Sequence, residues 1–214
     1  MKPLSERALA FLSKQEIREE YHIETGKLEK HLLSYPIQNT AEILRFQEIY
    51  SGIVIDNTPL VIFTPKHVDE HKSIPIFNTN GQVLLSISDG FYLSENGEIA
   101  LRERKYGADD FYFIFLYESF ETFIEQRAFF ESHEEYRELP CIGYGIDNIN
   151  LLSEALSDYE FISECFDKYH MMWKNSSNLV HARLYPDGYN VILDSVSEVE
   201  RTHLIQYLQS KQVI

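Results

Sequence analysis

His67-Val-Asp-Glu-His71 is a string that could do chemistry. In H-x-x-E-H, two histidines one helical turn apart bind zinc and the glutamate activates a water. The setting opposes it. Pro65 and Pro75 enclose the string and leave too little chain for the long helix that such a site needs. A polar connecting turn, or one exposed helical turn, is the plainer expectation, and a metal-dependent hydrolase using His67, Glu70 and His71 stands as a distant alternative. Gly143-Tyr-Gly145 lacks the further glycine and the strand–helix setting of a phosphate loop, so it reads as a backbone bend. Cys141 has no histidine near it in sequence and Cys165 falls in an apolar stripe, so both are expected as packed thiols. His170 precedes Met171, Met172 and Trp173, a composition of core and core edge. No G-x-S-x-G elbow and no glycine–lysine phosphate loop occurs. The expectation is a protein that is not an enzyme, with no catalytic residue, metal or cofactor.

Charge is more informative. The 214 residues carry 19 Lys and Arg against 34 Asp and Glu, a net charge of −15. Residues 1–106 hold 12 basic and 15 acidic side chains, whereas residues 107–214 hold 7 and 19. Between Gly107 and Asp167, 15 acidic residues are balanced by Arg127 and Arg137 alone. Such a block repels nucleic-acid phosphates and anionic membranes, and it draws in a basic partner. The bland reading is a solvated acidic face that keeps the chain dispersed. No apolar run approaches the roughly 20 residues that span a bilayer. The N-terminus lacks the apolar core of a signal peptide. Two cysteines in a chain of this length point to reduced thiols in a cytoplasm.

The positioning elements follow from periodicity. Residues 5–20 read as an opening helix with Ser5 as its N-cap and Ala8, Phe11 and Leu12 on one face. Asn39-Thr-Ala-Glu42 resembles a capping box, Ile43, Phe46 and Tyr50 share a helix face, and Gly52 ends it. Leu60–Thr64 reads as a buried strand stopped by Pro65. Strands flank Asn80-Gly81 and Asn96-Gly97, and a type I′ turn is expected at the latter. Phe111–Tyr117, apolar on both faces, reads as a central strand, with a helix following Ser119. Asn150–Trp173 reads as one long helix or two short ones, and Pro186-Asp187-Gly188 as a hairpin turn. Ser197 opens a last helix packing Val199, Leu204 and Leu208. The expected class is α+β, an antiparallel or mixed sheet of about five to six strands covered by helices. Residues 1–140 make the main domain, and residues 141–214 a helix–hairpin–helix extension docked on it.

Three pieces, in this order and spacing, resemble the SUKH superfamily over roughly residues 30–130. They are Ile43-Leu-Arg-Phe-Gln-Glu-Ile-Tyr-Ser-Gly52, the hairpin Gly90–Leu101, and Tyr117-Glu-Ser-Phe-Glu-Thr-Phe-Ile124. Ser51 stands where the family places the first glycine of a pair. The resemblance implies an α+β fold and, for bacterial members, an immunity protein that binds and neutralises a cognate toxin, often a nuclease or deaminase. Other members are regulators or scaffolds, and the family carries no common catalytic residue set. A nuclease domain tends to be basic, which gives the acidic block a use. The candidate contact residues are Asp109, Asp110, Glu121, Glu125, Glu131, Glu134, Glu135 and Glu138. Tyr92, Tyr106, Tyr112, Tyr117 and Tyr136 could add anchors, since tyrosine is favoured in hot spots. The sequence leaves the oligomeric state open.

Overall fold

The computed structural model describes residues 3–104, 111–137 and 139–214. The chain divides into two compact units: an inserted unit, Phe11–Phe120, and a terminal unit made of Met1–Ala10 with Glu121–Ile214. Each holds a five-stranded antiparallel sheet together with helices, so the α+β class holds. The division falls at residue 120 rather than 140, and the C-terminal part is a full sheet rather than a helix–hairpin–helix.

The first helix, α1, covers Glu6–Ser13 and is capped by Ser5, whose Oγ accepts from Ala8 N at 3.1 Å. It stops well short of residue 20, where Glu19–Tyr21 forms a single 3-10 turn. In the inserted unit α2 (Thr25–Leu32) and α3 (Ala41–Ile49) follow. The buried face of α3 is Ile43, Phe46 and Gln47. The rings of Phe46 and Tyr50 lie 5.0 and 4.6 Å from that of Phe120. Gly52 has φ of 86°, and a Cβ there would come within 2.4 Å of the Arg18 carbonyl oxygen, so the position needs glycine.

A two-stranded ribbon, β1 (Val54–Ile55) and β2 (Thr58–Pro59), leads to α4 (Pro65–Asp69). Leu60–Thr64 is not a strand, although Leu60, Ile62 and Phe63 are buried. The reason is Gln47, 3% exposed, whose side-chain amide replaces a neighbouring strand. Its Oε1 accepts from Phe63 N at 3.1 Å and its Nε2 donates to Phe63 O at 3.0 Å. Both backbone groups of Phe63 are thereby satisfied without a ladder. Pro65 opens a helix instead of ending a strand.

The sheet of this unit runs β3 (Ile76–Thr79), β4 (Gln82–Ser86), β5 (Phe91–Ser94), β6 (Ile99–Arg104), β7 (Phe111–Tyr117), in spatial order 3-4-5-6-7. Asn80 and Gly81 have φ of 51° and 76°, a two-residue turn of the I′ kind between the paired Thr79 and Gln82. At Asn96-Gly97 the expected I′ turn is absent, since only Gly97 has positive φ. Gly97 N donates to Ser94 O and Ser94 N to Glu98 O, which makes a three-residue loop with glycine in the left-handed position. β7 is an edge strand, not a central one. Its Phe113 and Phe115 pack with Phe77 against buried Leu84, Tyr92 and Ala100 on one face of the sheet. Phe111 and Tyr112 stay about half exposed. Phe113 and Phe115 feed this cluster, and Leu116, outside it, is the one residue of the strand that is buried.

After the inserted unit, the terminal unit resumes at Glu121 within α5 (Phe120–Ser132), followed by a 3-10 turn at Glu134–Arg137. Then come β8 (Ile142–Ile146), α6 (Ile149–Ala155), β9 (Glu160–Phe161), β10 (His170–Lys174), β11 (Asn178–Tyr185), β12 (Gly188–Ser195) and α7 (Glu198–Ser210). The strand order is 8-12-11-10-9. Of the expected Asn150–Trp173 helix only the part in α6, up to Ala155, is α-helical, with a single 3-10 turn at Ser163–Cys165. The apolar residues of that stretch serve two opposite faces of a sheet. Leu152, Leu156 and Trp173 join Leu204 and Leu208 in one core, while Ile162, Cys165 and Met172 join Phe129 and Tyr136 in another. Ser197 caps α7 by accepting from Glu200 N at 3.3 Å. Val199 is exposed rather than packed, and Arg201 is buried on that helix, paired with Glu198 at 2.7 Å. No described helix is long and apolar enough to cross a membrane.

Candidate functional site

The residues of the H-x-x-E-H string are held for structural ends. α4 has five residues, and His71 lies beyond it with φ of 51°. His67 completes a capping box, with its Nδ1 accepting from Thr64 N at 3.2 Å while its own N–H donates to Thr64 Oγ1. Glu70 is the C-cap and pairs with Lys72. The two histidines therefore do not share one helix face, and no group of three His, Cys, Asp or Glu suited to a metal occurs among the described residues. Gly143 and Gly145 lie in β8 rather than in a bend. Cys165 is buried as expected, but Cys141 is exposed and so is not a packed thiol.

The candidate acidic residues separate into three groups. Asp109, Asp110 and Glu138 lie outside the described residues, as does Tyr106. Glu121 and Glu125 were expected on an outer face, yet they are 4% and 2% exposed. Glu125 holds the start of α1. Its Oε1 accepts from Ser5 N at 2.5 Å and its Oε2 from Ser5 Oγ at 2.7 Å. The positive end of the helix dipole there suits a carboxylate. The repulsion expected of carboxylates four residues apart is thus countered, for Glu125, by direct hydrogen bonds.

Glu131, Glu134 and Glu135 are exposed, at the end of α5 and in the turn after it. Beneath them, the ring of His133 stacks on Phe129 at 4.2 Å, and buried Tyr136 donates to Asn175 O. Burial pushes the Tyr136 phenol up; Lys174 opposes this, while Glu135 and Glu160 add to it. Glu135 and Glu160, from separate elements, therefore act on one phenol. Glu160 begins the edge strand β9 and reaches Lys174 Nζ at 3.0 Å. Its neighbour Phe161 and nearby Phe166 are 42% and 43% exposed, with rings 5.6 Å apart, and Phe161 rests 5.7 Å from the Trp173 ring. Two exposed aromatics backed by a buried tryptophan form an apolar anchor at the sheet edge, whereas Glu160, paired across from Lys174, stands with Glu135 and Tyr136 on the opposite face.

Periodicity alone hid Phe161 and placed Phe166 in a helical stripe. The available signal was Ser157-Asp158, which interrupts that stripe before Glu160-Phe161. Of the tyrosines, Tyr92 and Tyr136 are buried, Tyr117 is partly covered and Tyr112 is half exposed. Compared with protein-family models, with curated proteins and with solved structures, the chain matches none.

Proposed function

We propose that this protein is a non-catalytic binding module that takes a basic protein on the acidic edge of its terminal unit. The observation that carries the reading is the exposed Phe161–Phe166 pair at the edge strand β9, next in sequence to Glu160, in a unit whose Glu134 and Glu135 are also exposed. Aromatic anchors supply desolvation energy, and rim carboxylates speed the arrival of a positively charged partner. The resemblance to SUKH proteins makes the partner a bacterial toxin, a nuclease or deaminase domain, which the chain neutralises as an immunity protein in the cytoplasm. The net charge of −15 disfavours nucleic acid and anionic membrane as partners.

The test pairs the full chain with the C-terminal domain of a large secreted toxin encoded immediately upstream. Co-expression should relieve toxin-dependent growth arrest, and the complex should weaken as salt rises from about 50 to about 300 mM. Phe161→Ala with Phe166→Ala should weaken it by more than about tenfold. Absence of both rescue and binding would remove the immunity reading. Tight binding indifferent to the two phenylalanines would keep the function and move the interface elsewhere. Binding without rescue would favour the regulatory or scaffold role found among proteins of the same fold.

A further inference from the structure

In the inserted unit, α2 and α4 flank a pocket of about 250 Å3 lined by Lys27, Lys30, His31, Val68, Asp69 and His71. At about 30 Å3 per water it holds roughly eight waters. That is below the roughly 300–1,000 Å3 of most organic-ligand sites, so a small ion or a short ester fits better. Four of its six side chains can carry positive charge. The single carboxylate, Asp69, is already 3.7 Å from Lys27 Nζ. In a chain of net charge −15 this local excess of cationic groups runs against the whole.

The wall of the pocket includes a buried imidazole. His31 is 6% exposed, and its ring packs edge-on to Phe63 and Tyr35 at 5.3 and 5.4 Å. Its Nε2 lies 3.4 Å from Tyr35 Oη, and no described group hydrogen-bonds to its Nδ1. The His71 ring is 6.5 Å away. We infer that this pocket binds a phosphate group, as the free ion or as a small phosphomonoester, through Lys27, Lys30, His31 and His71. Lysine binds phosphate as a point charge, and imidazole adds a directional donor. The two lysines make the pocket unsuited to a divalent cation.

Titration supports the geometry. Burial holds the His31 imidazole below its ordinary value, and the charges of His71 and His67 lower it further. The groups around it are Lys27 and Lys30 from α2, Tyr35 beyond that helix, and His67, Asp69 and His71 from α4 and its end. A bound dianion would offset the like charges, so phosphate should raise the pH at which His31 protonates.

The test is thermal unfolding of the full chain in inorganic phosphate and in glycerol phosphate, each against chloride of equal ionic strength, with ring-proton NMR of the histidines. At about 100-fold excess over Kd the midpoint should rise by roughly 5 °C, and the His31 titration should move upward. Lys27→Gln with Lys30→Gln should abolish both effects while leaving the ligand-free midpoint within about 2 °C, since both lysines are exposed. A response to inorganic phosphate alone would assign the free ion, and a response to both would admit the ester. Chloride reproducing the shift, the double variant retaining it, or a response to zinc in place of phosphate would overturn the assignment.

Discussion

Glu125 and Glu131 stand six residues apart in α5 and have opposite surroundings. Glu125 is buried, with both oxygens taken by Ser5, whereas Glu131 is exposed together with Glu134 and Glu135. The inserted unit repeats the buried kind in Glu95, 5% exposed, which accepts from Gln38 N at 2.7 Å, Asn39 N at 3.2 Å and Val83 N at 3.1 Å. A buried carboxylate is costly unless hydrogen bonds replace its water. Backbone N–H groups without a ladder or helix partner need an acceptor. Each need meets the other in these two glutamates. The formal charge of −15 therefore mixes carboxylates that hold the chain together with carboxylates that a partner can meet.

Glu95 should show the largest effect of substitution among these glutamates. Burial alone would push its carboxyl up, but three backbone donors outweigh that and hold it below the ordinary value of 4.5. Glu95→Gln turns an amide N–H2 toward at least one of these donors and should destabilise the chain by about 3 kcal/mol in urea unfolding. Because the folded-state value lies below the unfolded one, the stabilisation is complete above the unfolded value. It is lost as pH falls through the folded value. The wild type should therefore lose stability below about pH 4.5 more steeply than the Gln variant. Equal acid slopes would show that Glu95 is merely covered. The next effect in size is Glu125→Ala, which strips the acceptor from Ser5 N and Oγ and should cost about 2 kcal/mol. A loss under about 0.5 kcal/mol would place Glu125 with the exposed set.

Local signals in the sequence were readable where the chain satisfies itself locally. Asn80-Gly81, the Ser5 and Ser197 caps, and the Pro186-Asp187 turn all act within a few residues and all hold. Features that depend on a distant group were not readable. The Asn96-Gly97 loop departs from type I′ where the Glu95 carboxylate turns toward the N–H groups of residues 38, 39 and 83. Leu60–Thr64 is no strand because Gln47, 16 residues before Phe63, takes both of its backbone groups. The apolar stretch from 150 to 173 gave a helical stripe because side chains bound for two sheet faces happened to fall at helical spacing. For the site, the exposed part of the acidic block was legible as charge. Its aromatic anchor was not, since whether Phe161 and Phe166 are exposed depends on a sheet edge that periodicity had concealed.

The smallest expected effect sharpens the contrast most. Reversing Glu131, Glu134 and Glu135 to lysine moves the net charge by two units each, from −15 to −9. Exposed charges contribute little to folding, so unfolding free energy should change by less than about 0.5 kcal/mol. The sign is set locally. Glu131 sits in the last turn of α5, where the helix dipole disfavours an acid and favours a lysine. Glu134 and Glu135 open the following 3-10 turn, where a base is the poorer choice. The two tendencies offset one another. Association with a basic partner should nevertheless slow and lose much of its salt dependence, because rim charges act on encounter rather than on the fold. A stability loss above about 1 kcal/mol in this triple variant would mean that these carboxylates also hold structure, and the division between inward and outward glutamates would collapse.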